Sequence, residues 1–236
     1  MVCGESMKIL PNNIAVLEKD THISVWVQEL GTLAIAETML TPFKQYIPEE
    51  GTVIDIGASI GDHTVTYAQW VGKDGMVAAF EPNPKAYACL QHNTKDLPQV
   101  LPVKSGLSDT DGKAVLIELD NSGATYLTCG KSKIKVPVTT LDSYEFKSVD
   151  FIKIDVEGYE VKVLEGSRKT IEESRPVMLI EVNRQALERA GASAERLFEV
   201  LAELGYSMEI TDNRIPWSDP QYDVICLPIE KPTSHN

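Results

Sequence analysis

This chain has no apolar run near the roughly 20 residues that a membrane-spanning helix requires. Its first residues, MVCGESMKIL, also lack the basic start and apolar centre of a secretory leader. Cysteine is scarce: Cys3, Cys89, Cys129 and Cys226 stand far apart with no C-x-x-C pair. That spacing offers neither a zinc knuckle nor a disulfide framework, and it points to separate thiols in a reducing cytoplasm. Positive charge is short too. With 22 Lys and Arg against 35 Asp and Glu, the formal net charge is -13, the wrong sign for a nucleic-acid backbone or an anionic membrane as main partner. Internal repeats and low-complexity tracts are missing. What remains is a globular composition, 43% hydrophobic over 236 residues, enough for one large α/β domain or two small ones.

From Thr52 onward short apolar runs alternate with helical stretches, the pattern of a mostly parallel sheet with helices on both faces. Strands are predicted at 52–56, 76–80, 100–104, 151–155 and 177–182, with two late ones in YSMEI and YDVICLP. Pro102 cannot donate to a central ladder and puts the third strand at an edge. Helices are expected from about 62 to 72, from Asn83-Pro84 onward, from Gly158 toward 174, and near 193–204. Ahead of them, two β-branched runs within 11–27 flank Glu18-Lys19-Asp20 and read as a hairpin, followed by a helix over 32–46. The insertion at 109–137 carries two short strands of its own, AVLIEL and IKVPV. Residues 1–50 are expected to form a hairpin-and-helix lid packed on the core, and 51–236 the ligand-binding domain.

The stretch TVIDIGASIGDHTV, residues 52–65, sets Gly57 and Gly61 between Asp55 and Asp62. A phosphate loop needs Gly-Lys-Ser/Thr at its end, and none is present; G-x-G-x-x-G is missing as well. Pyrophosphate sits at a helix N-terminus because exposed N–H groups attract anions, and two flanking carboxylates oppose it. A ligand with an ammonium group, an adenosine and a cationic sulfur suits the loop better: S-adenosylmethionine. Glycine permits close backbone approach, and Asp55 at a strand's carboxyl end can reach the ammonium. Glu81, 26 residues later and just before Pro82, can take the ribose hydroxyls. A nicotinamide dehydrogenase would share that last device and stays open as an alternative, as does a non-catalytic module that keeps the cofactor fold.

VIDIGASIGDHTV, VAAFEPNP, VPVTTLDS and VDFIKIDVEGYEVKVLEG resemble, in order and spacing, the FkbM family of S-adenosylmethionine-dependent methyltransferases, over about residues 50–183. The first two motifs are shared across class I methyltransferases; FIKIDVEGYE is the family-specific block. The resemblance implies a class I, Rossmann-like methyltransferase fold with a late antiparallel strand, and O-methylation of a small-molecule hydroxyl. It also implies a cofactor site on Asp55, Gly57, Ala58, Ser59, Gly61, His63, Thr64, Glu81 and Pro82, with Gly106, Leu107 and Ser108 beside the adenine and Asp155 beside the methyl donor. Family members commonly carry Asn at the position of Ser59.

Asp155 follows the apolar strand residues Phe151, Ile152 and Ile154, and a carboxylate leaving a buried strand into a cleft needs a partner or a task. Asp155, Glu157 and His63, in that order, are the candidate bases for a hydroxyl proton. The structural alternative makes Asp155 a helix cap and pairs Glu157 with Lys153 or another cation. If strands four and five are neighbours, Asp155, Glu181 and Asn183 face one cleft, where three oxygens could hold a divalent ion or act as a metal-free acid–base cluster. Trp26, His22 and Tyr126 are candidate acceptor contacts or ordinary packing. The acceptor itself and the oligomeric state are not legible.

Overall fold

The computed structural model describes residues 7–117, 125–128, 134–211 and 221–230. Cys3, Cys129 and the last two residues of AVLIEL lie outside them. The N-terminal segment forms β1 (Met7–Ile9), β2 (Ala15–Leu17), α1 (Ile23–Leu30) and α2 (Glu37–Leu40), which runs on into a 3-10 turn, Thr41–Tyr46. Then come β3 (Thr52–Ile56), α3 (Thr64–Val71), β4 (Met76–Phe80), α4 (Pro84–Thr94) and β5 (Val100–Val103). The insertion contributes β6 (Gly106–Leu107), β7 (Gly112–Ile117), β8 (Tyr126–Thr128) and β9 (Lys135–Thr139). The chain continues through β10 (Phe151–Ile154), α5 (Glu160–Glu165), α6 (Arg168–Ser174) and β11 (Val177–Asn183). It closes with α7 (Arg184–Arg189), α8 (Ala194–Glu203), β12 (Tyr206–Ile210) and β13 (Gln221–Pro228).

The main sheet has the order β12-β13-β11-β10-β3-β4-β5. Its five inner-to-edge strands from β11 to β5 are parallel, and β13 runs antiparallel to both β11 and β12. Pro102 does sit on the edge strand, opposite Ala79. The chain leaves β3 toward β4 on one side and returns with β10 on the other, so the switch point lies between β3 and β10. In open α/β sheets the crevice beyond that point takes the ligand.

Strand alternation sorts the core. Ile54, Ile56, Phe80, Ile152, Ile154 and Ile180 pack with Val163, Leu164, Leu197 and Leu201 of α5 and α8. Val53, Val77, Phe151 and Leu179 pack with Tyr67, Trp70 and Val71 of α3 and with Leu40 and Ile47 of the N-terminal segment. Each such side chain, fully buried, contributes about 1.5–3 kcal/mol. Lys153 breaks this pattern, a buried lysine in a strand covered on both faces. Cys89 and Cys226 are buried free thiols, and burial pushes both up to about 12.

Three expectations need correction. The hairpin exists but pairs Met7–Ile9 with Ala15–Leu17; the run HISVWV is helical instead. The Asp20 carboxylate accepts from the amides of His22 and Ser24, which supplies α1 with the anionic start a helix favours and overrides its β-branched content. The helix expected over 32–46 is a short α2 followed by a 3-10 turn with Pro42 in its first turn. The helix after Gly158 is two, α5 and α6, divided at Gly166, where a Cβ would stand 1.9 Å from the Ser108 carbonyl oxygen.

Candidate active site

At the carboxyl ends of β3, β4, β10 and β11 opens a cavity of about 800 Å³, within the range typical of ligand sites. One end is acidic: Asp62, Glu81, Asp155, Glu157, Glu181 and Asp223 line it, with Lys153 as the single lysine among the described lining residues. Lys153 Nζ lies 3.0 Å from Asp155 Oδ2. Lys153 therefore pairs with Asp155, and the cation that pairs with Glu157 is another, Arg189 at 3.9 Å. Burial alone would lower the Lys153 pKa, but the carboxylates of Asp155, Asp55 and Asp62 outweigh it and raise the value. Burial acts most strongly on Asp155 and would raise it, but the Lys153 charge and hydrogen bond, joined by His63 and a hydrogen bond from Glu181, together lower it, so Asp155 is held ionised.

The neighbouring acids shift upward. Desolvation pushes Asp62 and Glu81 up to about 7, and desolvation with the nearby Asp155 charge does the same to Glu157. Burial beside Asp155 also raises Glu181 well above its ordinary range. His63 is driven the other way, to about 3, first by burial and then by Lys153, and so is neutral. Six carboxylates facing one lysine make a site short of positive charge, a place for a cationic ligand.

The glycine loop is built as follows. Glu81 accepts from the Ser59 amide at 2.9 Å and the Asn83 amide at 2.7 Å, bridging the β3 loop to the start of α4. Ser59 has φ of +50°, a conformation that Asn or Gly adopts at less cost. At Gly57 (φ +86°) a Cβ would meet the Asp155 carbonyl oxygen at 1.8 Å. Glycine is needed there because a neighbouring strand end fills the space, not because a ligand does.

Gly57, Ser59, His63, Glu81, Pro82, Gly106, Leu107, Asp155, Glu157 and Glu181 all line the cavity. Asp55 does not. It is fully buried behind the loop, accepts the Thr64 hydroxyl at 2.6 Å and leaves Oδ1 without a partner; Asp62 takes its place on the wall. Ala58 packs against Ala79 and Leu90, and Gly61 presses on Leu90 of α4. Thr64 serves Asp55, and Ser108 bonds Asp109. None of these four reaches the cavity. Asp62, Asn83 and Lys153 were missed as site residues. The acid flanking Gly61 was legible as a charge; its placement on the wall was not.

β10 and β11 are neighbours, and Asp155, Glu157 and Glu181 come within 4.8 Å of one another through one oxygen each. Asn183 is not part of that triple: its Oδ1 caps α7 through the Ala186 amide, and its Nδ2 donates to Glu157 at 3.3 Å. Gln221 Nε2 donates to Glu181 at 2.6 Å. Glu157, at φ +53°, occupies a strained conformation of the kind that clusters at functional sites. Beneath it, buried Glu160 accepts from the amides of Gly158 at 3.0 Å and Val156 at 3.4 Å. Tyr126 lies under the Arg189 guanidinium instead of lining the cavity, Trp26 lines it, and His22 does not.

A doubly covered, mostly parallel sheet with an antiparallel strand beside β11, and a carboxylate-lined crevice at its switch point, is the class I, Rossmann-like methyltransferase fold. The buried, unpartnered Ser59 Oγ and His63 Nδ1, both on residues of the cavity wall, fit an S-adenosylmethionine cofactor. The chain belongs to the FkbM methyltransferase family: the Methyltransferase FkbM domain matches residues 55–208. The hexuronic acid methyltransferase AglP of Haloferax volcanii is 27% identical over 172 residues, covering 69% of this chain and 66% of AglP. Methyltransferase FkbM from Methylobacillus flagellatus superposes with a TM-score of 0.51 at 20% identity, over 75% of this chain and 43% of its own. Fibrillarin of Aeropyrum pernix, solved with natively bound S-adenosylmethionine, gives 0.53 at 13% identity over 96% of this chain and 83% of its own. This chain therefore spans just under two thirds of AglP and less than half of the Methylobacillus protein.

Proposed function

We propose that this chain methylates an oxygen of a small-molecule or glycan acceptor. The carrying observation is the carboxylate wall at the switch point, with Glu157 at its acceptor end. When bound, S-adenosylmethionine supplies a methyl group on a cationic sulfur, already activated for displacement. Asp62 and the ionised Asp155 attract the positive ligand, and Glu81 offers carboxylate lone pairs to ribose hydroxyls. Gly106 and Leu107 wall the adenine side.

As the acceptor oxygen bonds to the methyl carbon and the carbon–sulfur bond breaks, the hydroxyl proton passes to a carboxylate. Glu157 is the better recipient, because a base tuned near neutrality accepts a proton most effectively. Asp155, paired with Lys153, holds charge and orientation. Neutral His63 positions the acceptor. The hexuronic acid named for the Haloferax relative supports a sugar-type acceptor.

A divalent ion on Asp155, Glu157 and Glu181 is the second reading, favoured by their 4.8 Å clustering. Lys153, Asn183 and Gln221 already donate to the three carboxylates, so the metal-free cluster is adopted. The test is labelled methyl transfer to glucuronosides. Glu157→Gln is expected to lower turnover roughly a hundredfold or more with S-adenosylhomocysteine affinity kept within a few-fold, and excess EDTA to leave the native rate intact. Unchanged turnover in the variant removes Glu157 as base; loss in EDTA, restored by magnesium, installs the ion.

A further inference from the structure

The cavity has a second end unlike the first. Besides the carboxylates it is walled by Trp26, Leu30, Ile35, Met39 and Phe43, all from the N-terminal segment. Eight large apolar side chains are strongly exposed among the described residues, and three of them fall on this rim: Trp26 at 49%, Leu30 at 65% and Met39 at 66%. The other five, Met7, Ile9, Leu101, Ile210 and Ile229, line no part of the cavity.

The rim residues are not what attaches their helices. α1 is fastened by buried Ser24 and Val27, with Asp20 at its start, and α2 by Ala36 and Leu40 against α3. Scattered exposed apolar side chains need no explanation, but three gathered on the wall of one cavity do. The cofactor's ammonium and ribose are served by the acidic end, and a free sugar offers mainly hydroxyls. Neither covers an indole, a thioether and two aliphatic side chains.

Resting on the methyl-transfer reading, we infer that the acceptor is amphipathic: its reacting oxygen sits on a polar group attached to an apolar chain or ring system, which seats on Trp26, Leu30 and Met39. A polar head without that body would reach Glu157 but bind weakly.

The test compares methyl and octyl β-glucuronosides by calorimetry on the protein saturated with S-adenosylhomocysteine. Each buried methylene is worth roughly three- to fourfold in affinity, so partial burial of seven should favour the octyl compound by at least about thirtyfold. Trp26→Ala and Met39→Ala, at exposed positions, are expected to erase most of that preference with unchanged melting temperature and unchanged S-adenosylhomocysteine affinity. Leu101→Ala, at an exposed position outside the cavity, keeps it.

Equal affinity for the two glucuronosides overturns the inference and leaves the methyl-transfer reading standing. So does an equal loss for both compounds in Trp26→Ala, which would mean that the indole stacks on the sugar itself. Self-association or liposome binding that the rim variants abolish, and octyl glucuronoside fails to compete with, would assign the rim to a second copy or a bilayer and also overturn it. Failure of S-adenosylhomocysteine to bind sinks the parent reading, and this one with it.

Discussion

Lys153 sets the electrostatics of the site. It is the one buried lysine among the described residues, it holds Asp155 ionised at 3.0 Å, and it stabilises Asp55 and Asp62 behind and beside it. Lys153→Met removes the cation and strands these carboxylates; unfolding in urea should show about 3–5 kcal/mol lost, and a loss below about 1 kcal/mol would contradict this account. The acids raised by burial dictate pH dependence. Asp62, Glu81, Glu157 and Glu160 are each raised to about 7 by desolvation. Between their ordinary values and about 7 the folded state binds more protons than the unfolded one, so stability falls as pH rises through that window. His63, lowered to about 3, works in the opposite sense below 6.5, but it is one group against four. Without ligand, the protein should therefore melt higher at pH 5 than at pH 8. A cationic ligand favours the ionised acids, so S-adenosylmethionine should bind more tightly at pH 8 and release protons. Calorimetry in buffers of different ionisation enthalpy reads that release; proton uptake would reverse the assignment.

At the scale of elements, the proposed chemistry rests on the turn between β10 and α5. Asp155 leaves the strand, Glu157 adopts a left-handed conformation, and Glu160 at the start of α5 holds the amides of Val156 and Gly158 from below. On the proposed reading Glu160 is a positioning residue. Glu160→Gln keeps an acceptor oxygen for those amides and should retain most activity. Glu160→Ala leaves them unpaired, which should cost about 1–3 kcal/mol of stability and lower turnover more than S-adenosylhomocysteine affinity. Equal activity in the two variants would show that the turn does not depend on this carboxylate. FIKIDVEGYE marked this turn in the sequence because its residue types are unusual for a strand end. The helix at 23–30 was not legible, because His22 to Val27 is rich in β-branched residues and the caps that decide it lie outside the run.

For the whole molecule, the order of elements was readable from alternating apolar runs, and the edge position of β5 from Pro102 alone. What the sequence could not convey was which acids reach the crevice. Asp55 and Asp62 flank the same glycines, yet the turn at Gly57, closed by the Asp155 carbonyl from β10, hides the first and presents the second. That depends on contact between residues about a hundred positions apart. The charge argument survives the exchange, since one carboxylate replaces another on the wall. Calorimetric titration of the purified protein with S-adenosylmethionine and, separately, with NADH tests it most directly. A saturable S-adenosylmethionine isotherm that strengthens with pH, and no heat from NADH, is the expected result; saturable NADH binding with none for S-adenosylmethionine would contradict the account.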